Sequence, residues 1–188
     1  MPNITSYEQF RPGFKFGDLL QWGGVSLLSK AIKLKTEDDR PDYEKQHWIN
    51  VNHSSLLIRF PLYEGPEDRV WTTEAVGSGT TLHLLSIDLQ NYSGKLWWYP
   101  LKDEVGTDDY RKEIGIRAFK YIGIPYAYDQ LMEQLVEKPI VDTKRLFCSE
   151  YCQLCYRGEQ EIGKRALNPN QMPTLGIFKE PILIYDSM

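Results

Sequence analysis

The chain has 188 residues, 41% of them hydrophobic, and a formal charge of −4. That is enough apolar chain for one substantial core, and no basic run or basic-aromatic stripe offers the electrostatic footprint of nucleic-acid binding. No stretch approaches the roughly 18 apolar residues of a membrane span, and Met1-Pro-Asn-Ile-Thr-Ser-Tyr-Glu8 lacks the basic and apolar regions of a leader.

The expectation is one soluble, non-exported domain over residues 1–188, placed in the cytoplasm. Three cysteines crowded into one segment are an odd count. They make no disulfide framework and agree with a reducing compartment.

In chain order, Arg11-Pro-Gly13 reads as a turn, and Gly17-Asp18 opens a short apolar strand. Val25, Leu28, Ala31, Ile32 and Lys35 recur at helical spacing and predict a short amphipathic helix. Residues 36–48 are polar and predict a loop able to lie over a cleft. From Val51 to Pro61 the composition is that of a strand, with His53 near its start; Val70–Val76 predicts a second and Thr80–Ile87 a third, joined at Gly77-Ser-Gly79.

Alternation in Val70–Val76 puts Thr72, Glu74 and both valines on one face. A carboxylate among apolar neighbours asks for a partner, and His53 on the preceding strand offers one. Of the other histidines, His47 falls in the polar loop, and His83 lies in a strand with no nearby acidic pattern. Lys95–Leu101 is an aromatic strand of core character. A helix capped at Thr107 or Asp108 runs to Gly123; Gly123-Ile-Pro-Tyr-Ala-Tyr-Asp129 turns into another, Gln130–Glu137.

The cysteines lie in Arg145-Leu-Phe-Cys-Ser-Glu-Tyr-Cys-Gln-Leu-Cys-Tyr156, where a helical pattern starts at Cys148 and fades around Gly163. A thiol in the first turn of a helix meets unpaired backbone N–H groups and the positive end of the helix dipole, which favour thiolate. The spacing Cys148-x3-Cys152-x2-Cys155 also matches the iron–sulfur triplet of radical S-adenosylmethionine enzymes. Offsets i, i+4 and i+7, however, share one helix face, and thiolates spread over two turns do not converge on one cluster. A zinc site completed by His53 meets the same difficulty. No metal or cofactor is expected. Pro181–Asp186 closes the chain as a strand. Helix, then strands, then helices and a last strand predict an α+β fold with an antiparallel sheet.

Read singly, Cys148 is also an ordinary buried thiol, His53 a satisfied strand histidine and Glu74 a rim carboxylate. Together, Phe10-Arg-Pro-Gly with Gly17-Asp-Leu-Leu, Val51-Asn-His-Ser-Ser-Leu-Leu-Ile, Thr73-Glu-Ala, Gly123-Ile-Pro-Tyr-Ala-Tyr-Asp and Phe147-Cys-Ser-Glu-Tyr resemble the circularly permuted papain-like hydrolases. These are the YiiX-like branch of the NlpC superfamily of cell-wall peptidases.

The resemblance covers roughly residues 10–157, and Phe147-Cys-Ser-Glu is its most specific part. It implies an antiparallel sheet or partial barrel packed on helices, with the nucleophile at a helix N-terminus. It also implies Cys148 as nucleophile, His53 as base, Glu74 as the group orienting the imidazole, and Tyr126 assisting the oxyanion. The expected substrate is the amide bond of a small or wall-derived peptide. A thioester or lipid acyl substrate, and a non-catalytic peptide- or amino-acid-binding module, are the alternatives on the same scaffold. Cys152 and Cys155 are expected to pack.

Overall fold

The computed structural model describes residues 5–25, 30, 33, 42–46, 48–60, 69–127 and 140–187. Among the described residues six strands form one sheet: β1 Leu19–Gly24, β2 His53–Arg59, β3 Val70–Val76, β4 Gly79–Leu84, β5 Gly94–Tyr99 and β6 Ile182–Asp186. Every pairing is antiparallel, in the order β4-β3-β2-β1-β5-β6. Among the helices are α1 Thr5–Phe10, α2 Asp42–Gln46, α3 Leu85–Gln90, α4 Asp108–Lys120 and α5 Cys148–Arg157. The fold is α+β, as expected from the segregation of elements.

Both faces of the sheet are covered, so successive residues of a strand enter different cores. Leu19, Leu56 and Tyr99 pack with Tyr151, Cys152 and Cys155 of α5, whereas Leu20, Leu57 and Trp98 pack with Leu85, Leu89 and Ile184 on the other side. This is why Leu19-Leu20 and Leu56-Leu57-Ile58 read as continuous apolar runs rather than alternation. Helix α5 is buried from Cys148 to Tyr156. Its Tyr151 hydroxyl meets Thr73 Oγ1 at 2.8 Å, and its Tyr156 hydroxyl donates to Gly17 O at 3.0 Å, fixing the helix to β3 and to the approach of β1.

Asp18 holds the start of β1. Buried at 1% exposure, it accepts from the N–H groups of Lys15 and Leu101, from the Trp98 indole and from the Arg111 guanidinium of α4. Asp18→Ala strands a half-buried arginine and three further donors. We expect a loss of about 3–5 kcal/mol in denaturant-measured stability.

Several expectations are corrected. The third strand ends at Leu84, and Leu85–Gln90 is helix α3. Leu85, Ile87 and Leu89 alternate as in a strand, but Leu85 and Leu89 are buried and Ile87 is 53% exposed. That is burial at i and i+4, the helical period, which a six-residue run cannot distinguish by pattern alone. Part of the expected 36–48 loop is α2, and α1 precedes the Arg11–Gly13 turn, itself a 3-10 turn. Helix α5 stops at Arg157 because Gly158 takes a φ of 78°. The helix expected at Gln130–Glu137, most of Val25–Lys35, and His47 lie outside the described residues.

Candidate active site

The ladder between β2 and β3 runs only from Leu56↔Thr73 to Arg59↔Val70. Beyond it, the start of β2 remains paired with β1 through Trp22↔His53, while the end of β3 remains paired with β4 through Val76↔Gly79. The two strand ends therefore separate where they carry His53 and Glu74. Extending the register sets Ser55 opposite Glu74 and His53 opposite Val76, so the pair is a diagonal one on a shared face. His53 Nε2 and Glu74 Oε2 are hydrogen-bonded across the separation. The Trp22 indole, anchored by its N–H on Ser55 Oγ at 2.8 Å, stands 6.5 Å from the imidazole, ring centroid to ring centroid.

Cys148 opens α5. Its N-cap is Phe147, which supplies no side-chain acceptor to the first-turn amides. The His53 ring is hydrogen-bonded to the Glu74 carboxylate and lies near enough to the Cys148 thiol for the sulfur to act on its basicity. With Nε2 committed to Glu74, Nδ1 is the nitrogen left for sulfur. Burial lowers the basicity of the imidazole, but the charges and hydrogen bonds of Cys148 and Glu74 outweigh it, and His53 is pushed up to about 10. The other two cysteines differ. Cys152 and Cys155 are fully buried, and burial pushes both thiols up.

The rest of the Phe-Cys-Ser-Glu motif holds the helix start. Ser149 donates to Leu167 O at 2.6 Å. Glu150 Oε1 accepts from Asp142 N–H at 2.7 Å and Oε2 from Phe147 N–H at 3.3 Å, clamping the lead-in segment to the first turn. Burial pushes the Glu150 carboxyl up to about 8 against those two amides. Since the native state holds that proton from about 4.5, the unperturbed value, to about 8, stability should fall as pH rises through this window. Glu150→Gln should flatten that slope, measured by denaturant unfolding at several pH values.

Tyr126 lies on a strap that begins at the outer edge of β4. Thr80 N–H donates to Ile124 O at 2.8 Å, Leu146 N–H to Pro125 O at 3.0 Å and Ala127 N–H to Leu146 O at 3.1 Å. A Cβ on Gly79 would stand 2.8 Å from Ile124 O, and its φ of 104° also favours glycine. Tyr126 is half-buried, and its backbone bridges Leu146, two residues before Cys148.

A pocket of about 430 Å³ opens on the imidazole side, its walls including Trp22, Asn52, His53, Glu74, Val76, Asp88 and Tyr92. Cys148, 5% exposed, is not part of that wall. Asp88 belongs to the unforeseen helix α3. It brings a carboxylate 3.8 Å from His83 Nδ1, so His83 does have an acidic neighbour.

This is an α+β fold that places a cysteine at a helix start beside a histidine–glutamate pair. No protein-family model and no curated protein matches the chain. Among solved structures, that of the metalloprotein YiiX from Escherichia coli O157:H7 aligns over 90% of this chain and 88% of its own, with a TM-score of 0.56 and 18% sequence identity. The chain has a YiiX-like fold. Among the described residues no helix is long and apolar enough to cross a membrane.

Proposed function

We propose that the chain is a cysteine hydrolase of the circularly permuted papain-like type, cleaving the amide bond of a small peptide. One observation carries the reading: a single imidazole, hydrogen-bonded to a nearly buried carboxylate, lies beside a thiol at a helix N-terminus. In this account the resting pair is thiolate and imidazolium. Sulfur attacks the amide carbonyl, and the backbone N–H of Cys148 with the Tyr126 hydroxyl receives the developing oxyanion. His53 then protonates the leaving amine, breaking the C–N bond and leaving an acyl-thioester. Water, deprotonated by His53, attacks that thioester; the carboxylic acid leaves and the pair is restored. Glu74 fixes the tautomer and balances the imidazolium charge.

YiiX is described as a metalloprotein. Here, among the described residues, no three His, Cys, Asp or Glu side chains converge on a point that a metal ion could occupy. His53 Nε2 and Glu74 Oε2 are bonded to each other rather than arranged around a cation. The residues do not fit a metal at this site.

The apolar pocket walls at Trp22, Val76, Ile87 and Tyr92 keep an acyl-thioester substrate as the second reading. A panel of peptide and aminoacyl amides set against acyl thioesters, with Cys148→Ser as control, separates the two. Amide turnover lost in the control supports the proposal. Turnover of thioesters alone selects the second reading, and turnover unaffected in the control overturns both.

A further inference from the structure

Cys148 opens α5 and His53 opens β2, and the start of β2 has left β3 and keeps its ladder to β1. A third segment, residues 166–170, bridges the two. At one end it holds the nucleophile helix: Leu167 O accepts from the hydroxyl of Ser149, the residue after Cys148, at 2.6 Å, and Leu167 N–H donates to Gln153 Oε1 at 2.8 Å. At the other end it holds the strands. Pro169 O accepts from Gln21 Nε2 of β1 at 2.9 Å, and Asn170 Oδ1 accepts at 2.9 Å from the N–H of Val51, two residues before His53.

The two amides reach further toward the histidine. Gln21 is paired across the β1–β2 ladder with Ser54, the residue after His53, and its Oε1 accepts from Ser54 Oγ at 3.4 Å. Asn170 Nδ2 donates to Asn50 Oδ1 at 3.2 Å. A capping box of Asn168 with Gln171 opens the 3-10 helix Pro169–Leu175 and stiffens the bridge where these bonds are made. Gln21, Ser54, Ser149 and Asn170 are fully buried. Burying amides costs free energy that apolar side chains of the same size avoid, so what they add here is direction. A hydrogen bond weakens steeply away from its preferred geometry, whereas apolar contact tolerates sliding.

We propose that Gln21 and Asn170 are positioning residues: through residues 166–170 they set the start of β2 against the start of α5, and with it the approach of His53 to Cys148. This rests on the hydrolase reading above, since the approach that is set is that of its base to its nucleophile. An imidazole that drifts from the sulfur leaves less thiolate at neutral pH.

The rate of Cys148 alkylation by iodoacetamide, followed against pH on the intact chain, tests this. In Asn170→Ala and in Gln21→Leu the rate at neutral pH should fall about tenfold, within the roughly 10²-fold that a 1 Å misplacement can cost, and the midpoint of the profile should move to higher pH. Asn170→Asp, which keeps an acceptor for the Val51 N–H, should stay nearer wild type than Asn170→Ala does. Tyr156→Phe is the control: it removes a buried hydrogen bond at the far end of α5 and should lower stability to denaturant without moving the profile.

A wild-type profile in Asn170→Ala or in Gln21→Leu, or an equal shift in Tyr156→Phe, overturns the proposal, because the bonds would then add stability alone. A wild-type chain with no selective alkylation of Cys148 instead sinks the hydrolase reading, and the proposal with it.

Discussion

Replacing Cys148 with alanine should abolish turnover, by about 10⁴-fold or more, and remove the modification of the chain by a small electrophile, with the fold retained. The expectation follows from how differently the three thiols are placed. Cys148 sits in the first turn of α5, 5% exposed, beside the His53 ring. Cys152 and Cys155 lie further along the helix, fully buried, with burial pushing their thiols up. Neither can replace the first. Mass spectrometry of iodoacetamide-treated protein should locate the label on Cys148, and in Cys148→Ala it should find almost none.

Replacing His53 with alanine is the second large effect. With no base, the thiol loses its proton acceptor and the leaving amine its donor, and general acid–base catalysis of this kind is worth about 10²–10⁴-fold. The same substitution has a pH signature in stability. His53 is raised from 6.5 to about 10 in the folded chain, so its stabilisation is full below about 6.5 and is lost as pH rises through about 10. The stability difference between wild type and His53→Ala should therefore shrink from neutral to alkaline pH; a difference that grows would contradict the ion pair. Glu74→Gln, which keeps size but removes charge, should lower turnover with the fold intact. Unchanged turnover would mean that another group orients the imidazole.

The elements that carry Cys148, His53 and Glu74 were legible because each uses a strong local signal: a helical period beginning at a cysteine, a β-branched and apolar run, and alternation about Glu74. The surroundings were less so. Asp88 was hidden because Leu85, Ile87 and Leu89 satisfy the strand pattern as well as the helical one, and only burial decides between them. For the same reason His83 read as lacking an acidic neighbour.

Thr72 was visible on the face of Glu74, but the second carboxylate near that face, Asp88 beside His83, depends on α3 folding back over the sheet. The separation of β2 from β3 beyond Leu56 and Thr73 is a matter of pairing, and a sequence of strand-forming residues carries no mark of where a ladder stops. Asp18 shows the converse. A Gly-Asp step reads as a weak motif, yet it gathers three donors from two distant segments and sets the start of β1.

The most direct test of the central claim is the rate of Cys148 alkylation by iodoacetamide at neutral pH, compared with Cys152 and Cys155 in the same protein and with Cys148 in His53→Ala. A thiolate held by His53 predicts modification of Cys148 well before the other two, and a marked fall in that rate when the imidazole is removed. Equal labelling of the three cysteines, or a Cys148 rate indifferent to His53→Ala, would contradict it.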